Sequence, residues 1–179
     1  MSQQVYLILG AYLLVSIYWD ISTRRIPNIL IMTGATVGIL LQGWAAGAGG
    51  VLAAIYGLLV GLAILMPGYL MGFTGAGDVK LMAAIGTFLG PLGVLQAGLA
   101  SIAVGGIIAL LFAISALFNR TAMSPWSRYG LMLKTLAITG KPIYIAPKEG
   151  EVMGRKFPFA VSIAIGTTGW MLWQWPLVG

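Results

Sequence analysis

The sequence predicts an all-α integral membrane protein with six transmembrane helices and a cytoplasmic loop carrying an interfacial amphipathic helix. Three observations lead there. Of 179 residues, 59% are hydrophobic and only 8% are charged, whereas soluble domains carry about 25% charged residues. The apolar residues gather in long runs, as a hydrocarbon core about 30 Å thick requires. Ten lysines and arginines stand against four acids, and they concentrate between the runs, which is the pattern of cytoplasmic loops. A single polytopic domain over residues 1–179 is expected.

The first span covers about 3–19. No basic residue precedes it, so it reads as a retained span rather than a cleavable signal. It stops at Asp20, and the polar connector Ser22-Thr23-Arg24-Arg25-Ile26-Pro27-Asn28 follows. Pro27 disfavours helix at Ile26, and Asn28 is expected to cap the next helix. Spans over about 29–46 and 51–70 flank the uncharged turn Gly47-Ala48-Gly49-Gly50. Three glycines then interrupt the chain before Asp78 and Lys80. The run at 79–90, closed by Gly90-Pro91, is long enough for only about half a hydrocarbon core. It reads as a short span or a re-entrant piece. The run at 92–118 is long enough for a tilted span.

Residues 119–156 hold seven of the ten basic residues. Within them Ser124-Pro125 resembles a helix start, and Trp126, Tyr129, Leu133 and Leu136 recur at helical spacing. An amphipathic helix on anionic lipid headgroups is expected there. The last span covers about 157–175, with Trp170, Trp173 and Trp175 near its far end as an aromatic belt. Arg24, Arg25, Lys80 and the 119–156 loop must share the cytoplasmic side. Six spans satisfy this, with both termini outside. Asp20 and Asp78, 58 residues apart, then fall at the same membrane face. Glycines at four-residue spacing (Gly34 and Gly38, Gly57 and Gly61, Gly68 and Gly72, Gly86 and Gly90) let helices approach closely.

The chain has no cysteine and no histidine. Thiolate and imidazole catalysis and cysteine-ligated zinc are therefore excluded. Neither a metal nor a cofactor is expected. Nucleic acid is not an expected partner, because the positive charge forms no basic domain apart from the spans. Nothing in the sequence sets an oligomeric state. Acid–base work falls to carboxylates, lysines or tyrosines. There are four carboxylates, Asp20, Asp78, Glu149 and Glu151, and only the aspartates close onto apolar runs. A carboxylate near the hydrocarbon costs about 2–3 kcal/mol at the centre and less near the interface. Two carboxylates within about 3–5 Å in a poorly hydrated site hold a single proton between them at neutral pH. The ionised member can take a proton from water while the protonated one polarises a carbonyl. Gly75 and Gly77 would let a substrate backbone approach. Lys80, Arg24 and Arg25 are candidates for stabilising developing charge or for anchoring on lipid. On the residues alone, catalysis and a proton- or ion-coupled transport site both remain open.

Gly75-Ala76-Gly77-Asp78-Val79-Lys80 resembles the GxGD signature of the type IV prepilin peptidases. Asp20 followed by Arg24-Arg25-Ile26-Pro27-Asn28 resembles their first aspartate motif, and Phe157-Pro158-Phe159-Ala160 is similar to the start of their last span. The resemblance covers nearly the whole chain. It implies that Asp20 and Asp78 are a catalytic pair, supported by Gly75, Gly77, Lys80, Arg24, Arg25, Pro27 and Asn28. It implies removal of the short basic leader from prepilins or pseudopilins at the cytoplasmic face. Longer members carry paired cysteines and also methylate the new N-terminus; without them, peptidase activity without N-methylation is expected. The short form is similar to the peptidases of tight-adherence (Flp) pilus systems, which implies a bacterial inner membrane, and preflagellin peptidases are close relatives. Glu149 and Glu151 are candidates for contact with the basic leader. Three other readings compete: a transporter using the same aspartates, a scaffold with silent motifs, and a presenilin-like protease cutting within a span.

Overall fold

A computed structural model describes residues 3–71, 74–118, 134–135 and 159–174. The amphipathic helix expected within 119–156, Glu149 and Glu151 lie outside the described residues, apart from 134–135. The described chain is helical: α1 (Gln3–Thr23), α2 (Asn28–Leu70), α3 (Ala76–Phe118) and α4 (Phe159–Gln174). Three segments, Gln4–Thr23, Asn28–Leu70 and Ala76–Leu111, are long and apolar enough to cross a membrane. These helices fit a membrane protein. The chain divides into two compact units, Met1–Gly105 with Pro158–Gly179, and Gly106–Phe157.

At 43 residues each, α2 and α3 would measure about 65 Å if straight, twice the hydrocarbon thickness. Neither is straight. α2 breaks at Ala46-Gly47, where Gly47 takes φ +58°. The chain then folds back, and Gly50 sits against the backbone carbonyl of Gln42. The uncharged glycine turn is thus shorter than the sequence suggests, because helix resumes within it. α3 breaks at Gly90 (φ +72°) just before Pro91, where the sequence places a break. Both glycines combine a positive φ with an extended ψ, a region that essentially only glycine adopts.

The segment 76–89 is the centre of the first unit. Every residue from 81 to 90 is buried, which explains how so short a helix is accommodated: protein surrounds it. Its small residues permit the approach. Gly86 meets the backbone of Gly57, and Gly61 meets the backbone of Met82, so the second half of α2 runs antiparallel to it. Leu9 and Leu13 of α1, Leu65 of α2 and Ile163 of α4 share one buried cluster with Leu81, Met82, Ile85 and Phe88. Tyr12 of α1 stacks on Phe88 with ring centroids 5.9 Å apart and covers Gly34. α4 lies along residues 93–105 of α3, where Gly166 touches the backbone of Ser101. Ser101 Oγ donates to Ile163 O at 3.2 Å.

Candidate active site

Asp20 lies two turns beyond Tyr12 on α1. The helix does not stop there, as the sequence suggested, but continues to Thr23. Arg24 N–H donates to Asp20 O at 2.8 Å, and Thr23 Oγ1 donates to Trp19 O at 2.8 Å. Arg24 then takes φ +53°, and the chain turns into the connector. For a residue with a Cβ, that conformation costs about 1–2 kcal/mol, and strain of this kind gathers at functional sites. The Asp20 side chain is only 8% exposed. It accepts a hydrogen bond from the backbone N–H of Ala160, in the first turn of α4, where amides have no partner within their own helix. Asp20 Oδ2 is buried without a protein hydrogen-bond partner.

Asp78 sits in the first turn of α3, three residues after Gly75. Its Oδ2 accepts the Gly75 N–H at 3.0 Å, and its own N–H donates to Gly75 O at 3.1 Å. This is the carboxylate half of a capping box, which satisfies one amide that the helix start leaves free. The helix therefore begins at Ala76, three residues earlier than the sequence suggested. Asp78 is 9% exposed and lies within electrostatic reach of Asp20.

Both aspartates line one cavity of about 330 Å³. Gly75, Ala76, Gly77 and Lys80 line it from α3; Arg24, Arg25, Ile26 and Asn28 line it from the connector and the start of α2. Of the catalytic and supporting residues named for the two aspartate motifs, all of them among the described residues, Pro27 alone is absent from the lining. Pro27 instead stands as the N-cap of α2 in an extended conformation, and no side chain caps the helix. The expected cap role of Asn28 is thus not met. As the first residue of α2, its Oδ1 accepts a hydrogen bond from Lys80 Nζ at 3.0 Å, tying α2 to α3 across the lining. The sequence pattern of the type IV leader peptidase family matches residues 7–110, which include both aspartates and the whole lining. The chain belongs to the type IV leader peptidase family. Neither a curated protein nor a solved structure matches it.

In this peptidase the lining is acidic where it is buried and basic where it is exposed. Asp20 and Asp78 are buried, while Arg24, Arg25 and Lys80 are exposed. Among the described residues no group of three or more acids, histidines or cysteines stands together as a metal site. The arrangement places two buried carboxylates on one cavity beside side-chain-free backbone at Gly75 and Gly77. Three contributors were not singled out in the sequence. Ile26 packs beside Gly77, Ala160 supplies an amide to Asp20, and Thr74 bonds back onto α2. Ile26 and Ala160 lie inside motifs already quoted, but Ala160 acts through its backbone amide, which carries no residue-type signature, and Thr74 bonds through both its amide and its hydroxyl.

Proposed function

We propose that this peptidase is an aspartic endopeptidase that removes the short basic leader from type IV prepilins or pseudopilins, with Asp20 and Asp78 as the catalytic pair. The observation that carries the reading is the burial of both carboxylates on one cavity. In the proposed reaction the ionised aspartate takes a proton from water as its oxygen attacks the scissile carbonyl carbon. The protonated aspartate gives its proton to the carbonyl oxygen, forming a neutral tetrahedral diol. The diol then collapses: the ionised aspartate takes one hydroxyl proton as the carbonyl re-forms, the protonated aspartate gives its proton to the departing nitrogen, and the C–N bond breaks. The pair is left with its single shared proton. Lys80, Arg24 and Arg25 would bear on charge developing at the exposed side of the cavity.

The six-span topology, with the site at the cytoplasmic face of an inner membrane and both termini outside, belongs to the same proposal. The grouping of Arg24, Arg25 and Lys80 on one cavity lining supports a shared side. Anionic lipid under the basic 119–156 loop is the proposed membrane contact. The test is processing of a co-expressed prepilin, followed as a mobility shift and by mass spectrometry of the new N-terminus. Asp20→Asn and Asp78→Asn should each lower processing by about a thousandfold. Normal processing by either variant would end the dyad reading, and cleavage inside the substrate's apolar helix would end the leader reading.

A further inference from the structure

Thr74 is the residue beside the site that the proposed reaction leaves without a part. It immediately precedes Gly75, yet its bonds run away from the cavity. Its N–H donates to Gly68 O at 3.3 Å, and its hydroxyl donates to Leu65 O at 3.5 Å. Its side chain also occupies the space beside Gly68: a Cβ added there would stand 3.3 Å from both Thr74 Cγ2 and Oγ1. Met71 N–H donates to Pro67 O at 3.0 Å, so the last turns of α2 hold Met71 and Thr74 together.

The next amide along the chain is the one that binds Asp78. Gly75 N–H points to Asp78 Oδ2 at 3.0 Å, and because the peptide unit joining Thr74 to Gly75 is planar, a single backbone rotation, ψ of Thr74, separates the anchored Thr74 Cα from that amide. Beyond this plane come Gly75 and Gly77, which by themselves restrict the backbone little. An anchor immediately before them removes that freedom where it would otherwise reach the carboxylate.

We propose that Thr74 is a positioning residue that fixes the Gly75 amide, and through it the Asp78 carboxylate, against the end of α2. This rests on the reading of Asp78 as one of the catalytic pair. Thr74 touches neither water nor substrate in this role, so its removal should affect turnover and not affinity.

The experiment is steady-state cleavage by the full chain in detergent. The probe is a synthetic prepilin peptide with a basic leader and the start of an apolar helix. Thr74→Val keeps the shape and loses the hydroxyl; kcat should fall about five- to tenfold with KM unchanged. Thr74→Ser restores the donor and should recover most of kcat. Thr74→Gly loses donor and packing and should fall further than Thr74→Val. Thermal midpoints of Thr74→Val and Thr74→Ser should match the parent. Wild-type kcat in Thr74→Val overturns the proposal, as does a loss confined to KM or one that Thr74→Ser fails to recover. Asp78→Asn in the same assay separates the two levels. If it is inactive while Thr74→Val is unimpaired, the positioning role alone falls; if it remains active, the catalytic pair falls and this proposal with it.

Discussion

A single methyl group measures how closely the start of α3 is built around Asp78. A Cβ on Gly75 would stand 3.2 Å from Asp78 Oδ2. The carboxylate would have to give by a few tenths of an ångström, against the hydrogen bond that orients it. A Cβ on Gly77 would meet only Ile26, at 3.7 Å or more, which is ordinary contact. The described glycines with positive φ are Gly47 and Gly90, so strain enters neither substitution. Gly75→Ala should therefore lower kcat by about tenfold, since misplacement of about 1 Å costs on the order of a hundredfold. Gly77→Ala should melt with the parent, and any loss should fall on KM as the methyl meets the peptide. Michaelis–Menten analysis of prepilin cleavage checks both; equal losses in kcat would sink the geometric distinction. The sequence singles out the two glycines equally, because spacing shows that backbone must come close but not which amide bonds the acid.

The break in α3 poses the corresponding question at the scale of an element. Gly90 and Pro91 break the helix, and the carbonyl of Phe88 lies just before the break in a buried segment. Gln42 of α2 answers it, with Nε2 donating to Phe88 O at 2.7 Å. Gln42→Leu should destabilise the fold by about 1–3 kcal/mol, the cost of leaving a buried acceptor unpaired. Leu40→Ala serves as the comparison: the side chain is 66% exposed, and its loss should cost far less. Thermal unfolding in one detergent measures both, and equal midpoints would remove the cap from the account. The break itself is readable in the sequence, since glycine followed by proline ends a helix for local reasons. The long-range partner is not, because a glutamine 46 positions away gives no local sign of its acceptor. The same limit explains the helix ends at the site. Thr23 and Arg24 extend α1 past Asp20 through bonds to Trp19 and Asp20 carbonyls, whereas hydropathy alone marks where apolar residues stop.

At the scale of the first unit, the candidate site is gathered from chain ends that only the packed fold brings together: the last turn of α1, the first turns of α2 and α3, and the first turn of α4. That Asp20 and Asp78 line one cavity is in line with the expectation, argued from charge alone, that the basic connectors flanking both gather on one membrane face. The part played by α4 was not readable as geometry, and it lies outside the residues 7–110 matched by the family. Its amide at Ala160 reaches Asp20 only if α4 keeps its place along α3. That place is held two turns further on, where a Cβ on Gly166 would run into the backbone of Ser101. No side-chain rotation relieves such a contact, so Gly166→Leu must part the helices and weaken the Ser101–Ile163 hydrogen bond. Overpacking of this kind costs about 1–3 kcal/mol. The same shift should draw Ala160 from Asp20, so kcat should fall together with the thermal midpoint. Gly169→Leu is the control on the same helix, since nothing lies within 4 Å of a Cβ there; it should leave both quantities unchanged. A Gly166→Leu protein that melts early but keeps its kcat at temperatures where it is folded would show that Asp20 does not depend on α4 for its orientation.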